Sequence, residues 1–157
     1  MTMMSVDESS DLMSKVASNI RHLTVHNCRG VVSSLLRTDL PFDQSARMIW
    51  TALADGKRLS TDVFDILMEV SGDHPVRQTV SGAYAADPIS VACISALSAM
   101  MDTHNLETLC REEFGKLFSH LVVISAQFVN AKYERKKSDT GAAINISPFI
   151  VALEAFR

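Results

Sequence analysis

Apolar residues recur along this chain at the three- and four-residue steps of amphipathic α-helices. The first such stretch covers roughly residues 8–25, and a short second helix follows a weak break near Asn27 and ends near Arg37. One face of the first helix carries Leu12, Val16, Ile20 and Leu23. We expect this face to be buried, because a surface helix normally turns its apolar stripe toward a core.

Two further helices meet around the turn Leu-Pro-Phe-Asp at residues 40–43. Pro41 disfavours helix at the residue before it, and Asp43 is a good N-cap for a third helix. The fourth helix is predicted to begin at Ser60 and to end at Gly72, followed by a loop over residues 73–86. The apolar positions of the pair are Ala46, Ile49, Trp50 and Leu53, then Val63, Ile66, Leu67 and Val70.

The second half of the chain opens on Asp87 and Pro88, a cap followed by proline at the first helical position. After this helix, the pattern predicts the longest helix of the chain, from beyond Asn105 to about Arg135. Its segment 122–124 is apolar all round, so we expect it to be covered on several sides. A linker over 138–147 then leads to Ser147 and Pro148, which repeat the cap-plus-proline opening.

These helices predict an all-α fold, an α-α superhelix of HEAT-like helical hairpins, with an irregular helical bundle as the alternative. Pairs begin near Asp7, Asp43 and Asp87, and a fourth opens at Ser147, which gives a spacing of roughly 40 residues. We expect a flexible N-terminus over residues 1–6 and a repeat domain over 7–157. Its hairpins cover about 7–37, 43–72 and 87–135, with an opening helix at 147–157. That last helix has no stop signal, which favours a fragment of a longer solenoid.

Composition and charge narrow the function classes. A net charge of −3 gives no basic footprint for nucleic acid. Uninterrupted apolar runs such as residues 121–124 are far short of a membrane span, and the N-terminus lacks the features of a signal peptide. Three cysteines without CxxC spacing favour a reducing compartment, so we expect a cytoplasmic protein.

The sequence gives only weak signals for metal binding or catalysis. His22 and His26 are four residues apart on a helix, a spacing at which two histidines can coordinate zinc. No further ligand residue lies at a spacing typical of a zinc site. Cys110 and His120 are nearly three helical turns apart, too far to form a nucleophile–base pair. No phosphate loop or common catalytic motif is present. We therefore expect no enzymatic activity, no metal and no cofactor.

One charge cluster and one aromatic residue have alternative interpretations. The cluster is Lys132, Arg135, Lys136 and Lys137. These cations either complement the dipole at the end of a helix or form a basic edge that touches anionic lipid headgroups. Trp50 is either the packing anchor between two helix pairs or an exposed interaction hot spot; its place on the apolar face favours packing.

Several segments resemble the Maestro heat-like repeat-containing proteins. The resemblance begins with Leu-Pro-Phe-Asp, Trp50 and Leu53 and continues through VFDILMEV. It then follows ADPISVACISALSAMM, EEFGKLFSHLVVISAQFV and SPFIVALEAF, in order, over most of residues 28–157. The middle loop SGDHPVRQTVSGAYAAD follows the family pattern only loosely.

The resemblance implies an α-α superhelix in a non-enzymatic protein that is often much longer, tied to cytoplasmic and membrane-trafficking settings. It carries no catalytic residues, and it implies structural roles for Pro41, Asp43, Trp50 and Pro88. The sequence thus predicts a scaffold for protein–protein interaction. The alternative is a peripheral membrane adaptor that contacts anionic lipid through residues 132–137.

Overall fold

A computed structural model of the chain describes residues 6–73, 75–133 and 147–155. Over these residues the chain folds into α-helices with one small sheet, which confirms the predicted helical fold class. The helices are α1 (Val6–His26), α2 (Cys28–Leu35), α3 (Gln44–Leu53), α4 (Lys57–Gly72), α5 (Pro88–Met101), α6 (Glu107–Glu112), α7 (Phe114–Phe128) and α8 (Pro148–Glu154). A 3₁₀ turn covers His104–Leu106, and the strands are β1 (Val76–Gln78), β2 (Tyr84–Ala86) and β3 (Ala131–Lys132).

The helices stack in two layers. In the first layer α1 packs on α3, α3 on α5, and α5 on α8. In the second layer α2 packs on α4, and α4 on α7. The layers are joined where α1 meets α2, α4 meets α5 and α7 meets α8. This order is that of a helical-hairpin array, in which each pair buries its apolar faces against its neighbours.

The core lies between the two layers and is filled mainly by the middle of the array. Its largest fully buried side chains include Trp50 on α3, Phe64 on α4, Ile94 on α5 and Phe128 on α7. The middle helix α5 is buried along most of its length, because its small residues let neighbours approach from several sides. α1 contributes much less, since only Ala17 and Thr24 are buried among its described side chains.

Capping residues explain where two of the first-layer helices begin. The Asp43 carboxylate accepts a hydrogen bond from the amide of Ala46 (2.7 Å), and α3 begins immediately after Asp43. The Asp87 carboxylate accepts from the amides of Ile89 and Ser90 (both 3.1 Å) and caps α5. In each case a side-chain oxygen satisfies amides that the first helical turn leaves without a backbone partner.

The predicted start of α4 at Ser60 is wrong by one helical turn. The helix begins at Lys57, after Gly56, whose φ of +94° is a conformation that favours glycine. Ser60 instead lies within the first turn and donates a hydrogen bond to the carbonyl of Lys57 (3.1 Å).

The predicted loop over residues 73–86 is also wrong, because it contains a β-hairpin. β1 and β2 pair antiparallel, with Val76 opposite Ala86. Gly82 adopts a φ of +79°, which lets the chain reverse, and its amide donates to the carbonyl of Thr79 (2.9 Å). β2 then pairs in parallel with β3, which completes a three-stranded sheet in the order β1-β2-β3.

The predicted long helix from Asn105 to about Arg135 is wrong as well. The segment is divided at Glu113, whose backbone leaves the helical region, so that α6 and α7 are separate helices. α7 ends at Phe128, because Ala131 and Lys132 become extended to pair with β2. The longest helix is α1, with 21 residues against 15 in α7.

Candidate interaction surfaces

α7 lies at one end of the second layer and uses two of its sides within the fold. Leu117, Leu121 and Phe128 point into the core. A second side faces α4, where the Lys116 ammonium pairs with the Asp65 carboxylate at 3.2 Å. On the same side, Nε2 of His120 lies 2.6 Å from the hydroxyl of Ser71. These contacts fix which side of α7 remains open.

The open side of α7 is apolar. Phe114, Phe118, Val122 and Val129, here called the α7 stripe, keep 62%, 48%, 45% and 55% of their surfaces exposed. The rings of Phe114 and Phe118 stack with centroids 5.7 Å apart. Two residues along a helix correspond to a rotation of about 160°, so Phe118 points away from the α4-facing Lys116. The stripe therefore points away from α4.

This finding corrects the expectation that residues 122–124 are covered on several sides. Ile124 is buried, but Val122 and Val123 are exposed. Gly115 and Ala126 beside the stripe are small and exposed, whereas Ser119 and Val123 line the groove between α7 and α4. The open side of α7 thus carries no charged residue between Phe114 and Val129.

α1 at the opposite end of the array has a similar surface. Ser14, Ala17 and Arg21 line a groove between α1 and α3, which defines the side of α1 that faces the array. Leu12, Val16 and Leu23, here called the α1 stripe, are exposed. The prediction that this face is buried is wrong for these three residues, whereas Ile20 is half-buried. The small side chains of Ala17 and Thr24 let α1 approach its neighbours instead.

A groove between α4 and α7 is lined by both charged and apolar groups. Its volume is about 720 Å³, and Met68, Glu69 and Val123 contribute to its wall. Burial lowers the pKa of His120, and the nearby Lys116 lowers it further. The neutral imidazole is thereby favoured at its contact with Ser71. His120 acts as a helix–helix contact in this wall.

The four residues predicted to be structural lie in or beside the core. Trp50 is fully buried, with its ring centroid 6.0 Å from that of Phe42. Pro41 follows Leu40, which is buried, and the bond between them is cis. Asp43 caps α3 and Pro88 occupies the first turn of α5. The structure distributes these residues over two helix starts and does not gather them into one site.

The basic cluster is only partly within the described residues. Lys132 is exposed on β3, just beyond the end of α7, and is not part of a helix. Arg135, Lys136 and Lys137 lie outside the described residues, and the lipid contact stays a prediction. No helix in the described part of the chain is both long and apolar enough to cross a membrane.

The histidines and cysteines considered as candidate metal ligands or nucleophiles do not form a reactive site among the described residues. The rings of His22 and His26 meet edge to face with centroids 5.2 Å apart, and both are exposed. Across residues 6–73, 75–133 and 147–155, no three His, Cys, Asp or Glu side chains are grouped to hold a metal ion. Burial raises the pKa of Cys28 and Cys110, and it raises that of Cys93 to about 12.

Two layers of stacked helices, with an apolar stripe at each end, define a helical-repeat protein. The chain is 30% identical to Maestro heat-like repeat-containing protein family member 1 from mouse and from human, over 150 aligned residues in each case. These alignments cover 86% of this chain. The bovine protein of the same name is 33% identical over 85 residues, or 54% of this chain. The resemblance is thereby confirmed, and the chain is a relative of the Maestro heat-like repeat proteins.

The relatives are much longer than this chain, which spans only 9% of the mouse and human proteins. No family model matches the chain. No solved structure matches it either.

Proposed function

We propose that this chain is a non-enzymatic scaffold segment that binds protein partners. The observation that carries the proposal is the pair of exposed apolar stripes at opposite ends of the array. Exposed apolar patches on a folded domain mark interaction sites, because covering them removes apolar surface from water. A cytoplasmic setting is part of the proposal, since free cysteines, Cys28, Cys93 and Cys110, suit a reducing compartment.

The chemistry of the described residues supports a non-catalytic role. A nucleophilic cysteine needs a lowered pKa, whereas burial raises the pKa of all three thiols. His120, whose imidazole contacts Ser71 between α4 and α7, is used in packing. These surroundings favour a packing role over a catalytic one for the three thiols and His120.

Site-specific photo-crosslinking in cells tests the proposal. A photoreactive amino acid replaces Leu23 on the α1 stripe or Val122 on the α7 stripe, and the captured species are identified by mass spectrometry. Matched controls carry the same group at Asp11 and Gln127, which are exposed on other sides of the same helices. We expect protein adducts at the stripes and not at the controls. The absence of protein adducts at both stripes would refute the proposal.

The alternative function, peripheral membrane contact, has its own readout. Binding to anionic liposomes should fall steeply with salt, since such binding depends on charge. It should also vanish when the basic cluster is neutralised by Lys132→Gln, Arg135→Gln, Lys136→Gln and Lys137→Gln. Liposome binding with these properties, in a protein that gives no stripe adducts, would favour the membrane adaptor over the scaffold.

A further inference from the structure

Positive charge predominates in the groove between α1 and α3. The groove has a volume of about 440 Å³, and two arginines line it, Arg21 on α1 and Arg47 on α3. Among the described residues that line this groove, Asp55 alone carries a carboxylate. The charge balance of the groove is therefore positive, although the whole chain has a net charge of −3.

The two arginines of this groove differ in their partners. Nη1 of Arg21 lies 3.0 Å from Oδ2 of Asp55. A Cβ atom added at Gly56 would lie only 3.2 Å from Nη2 of Arg21, so the glycine leaves room for this guanidinium at one end of the groove. Arg47, by contrast, forms no ion pair with any carboxylate of the described residues, including Glu154, which lines a smaller pocket together with it. The Arg47 guanidinium is therefore available to an incoming anion, and its planar fork matches a carboxylate.

The rest of the groove combines an apolar floor with a polar rim. Ala17 is buried, and Met48 and Ala52 are half-buried, so these three side chains form the floor. The rim consists of exposed hydroxyl and amide side chains, those of Ser14, Ser18, Gln44 and Thr51. A small free anion would leave the apolar floor uncovered, whereas a peptide with acidic and apolar side chains would contact the arginine and the floor together.

We propose that the groove between α1 and α3 binds an extended acidic segment of a partner protein. Alternate side chains of an extended chain point to the same side, about 6.6 Å apart. One carboxylate therefore pairs with Arg47, while an apolar side chain two positions away covers the floor at Met48. Complementary charge of this kind also steers association and suppresses basic partners. The groove is separate from the two stripes, so this inference goes beyond the surfaces of the proposed function.

The test uses the whole chain and a defined probe, a fluorescently labelled peptide of repeated Glu-Ser-Leu-Ser units. A peptide of the same length with glutamine in place of glutamate is the control. We expect saturable binding of the acidic probe by anisotropy, weakening as salt is added, and little binding of the control. Arg47→Gln should raise the Kd about tenfold, the effect of losing one charge-assisted contact. Arg58→Gln, exposed on α4 outside the groove, should leave the Kd unchanged. In amide NMR spectra the probe should shift Ser14, Ser18 and Thr51 most.

A charge exchange separates recognition from any effect on folding. Arg47→Glu should lose the acidic probe and bind a third peptide, in which lysine replaces glutamate, better than the unchanged protein does. A misfolded variant would lose the first peptide without gaining the second. Failure of the exchange in a variant with an unchanged circular dichroism spectrum would count against pairing at Arg47.

Three outcomes would overturn the inference. The first is absence of saturable binding, or equal binding of the acidic and glutamine peptides. The second is an unchanged Kd in Arg47→Gln. The third is Arg47-dependent binding of inorganic phosphate or phosphatidylserine vesicles without binding of the acidic probe, which would assign the groove to a free anion or a lipid headgroup. If the probe fails while Leu23 or Val122 still gives protein adducts in cells, the inference fails and the scaffold function stands. If the probe binds as expected while neither stripe gives adducts, the groove stands and the stripe-based scaffold function fails.

Discussion

Two phenylalanines of α7 provide a direct test of which side of this helix is core. Phe128 is fully buried, whereas Phe114 keeps 62% of its surface exposed. Truncating a buried phenylalanine to alanine costs about 3–5 kcal/mol of unfolding free energy, through lost transfer energy and the cavity left behind. We expect Phe128→Ala to fall within this range.

For Phe114→Ala the expected loss is much smaller. Full burial of a phenylalanine contributes about 1.5–3 kcal/mol, and roughly two fifths of Phe114 is buried, so the loss of burial is about 0.6–1.2 kcal/mol. Alanine recovers roughly 0.5 kcal/mol through its higher helix propensity. The net destabilisation should therefore stay below about 1 kcal/mol.

Urea unfolding separates these two expectations. Trp50 is the single tryptophan and is fully buried, so its fluorescence reports loss of the core, and far-UV circular dichroism reports the helices in parallel. With a slope of about 2 kcal/mol per molar urea, Phe128→Ala should lower the midpoint by about 1.5–2.5 M, and Phe114→Ala by less than about 0.5 M. Phe128→Leu should fall between the two. Equal destabilisation by both alanine variants would refute the assignment of the α7 stripe to the surface.

Four further predictions address other parts of the fold. The pKa of His120 is lowered in the folded chain, so the unfolded chain binds a proton at this residue more readily. The urea midpoint should therefore fall as the pH decreases below about 6.5. His120→Gln should make the midpoint less dependent on pH, and an unchanged pH dependence in this variant would contradict the prediction. Asp87→Ala removes the cap of α5 and should lower the unfolding free energy by about 1–2 kcal/mol. Asp87→Asn should retain most of the stability, because asparagine is also a good N-cap. Cys93, buried with a pKa of about 12, should resist iodoacetamide at pH 8 until urea unfolds the chain, as measured by intact mass. In hydrogen exchange, α1 should lose protection before α5, because it buries fewer side chains; equal protection would count against this order.

The local chemistry of the sequence was enough to predict where several helices begin. Asp43 and Asp87 cap their helices with their own side chains, so the signal is contained within three residues. The start of α4 was missed because Gly56 provides no side-chain cap, whereas Ser60 looked like one. The hairpin was missed because strands of three residues are too short to show alternation. The Ser81–Gly82 pair was the available signal for its turn.

The faces of the end helices could not be predicted from periodicity, and the reason is physical. An apolar stripe indicates that a helix side avoids water, but it does not say whether the covering surface belongs to the same domain. In α1 the small residues Ala17 and Thr24 allow close approach to the array, while Leu12 and Leu23 remain outside. The candidate surfaces could therefore be identified only from the structure, which shows which side of each helix packs against the core.

The ends of the array are held differently from its middle. Exposed ion pairs such as Arg21–Asp55 (3.0 Å) and Lys116–Asp65 (3.2 Å) link neighbouring helices, and each contributes about 0–1 kcal/mol. The middle is instead held by large buried side chains such as Trp50 and Phe64. In a stack stabilised by nearest neighbours, α4 is buried from two sides because it lies between α2 and α7.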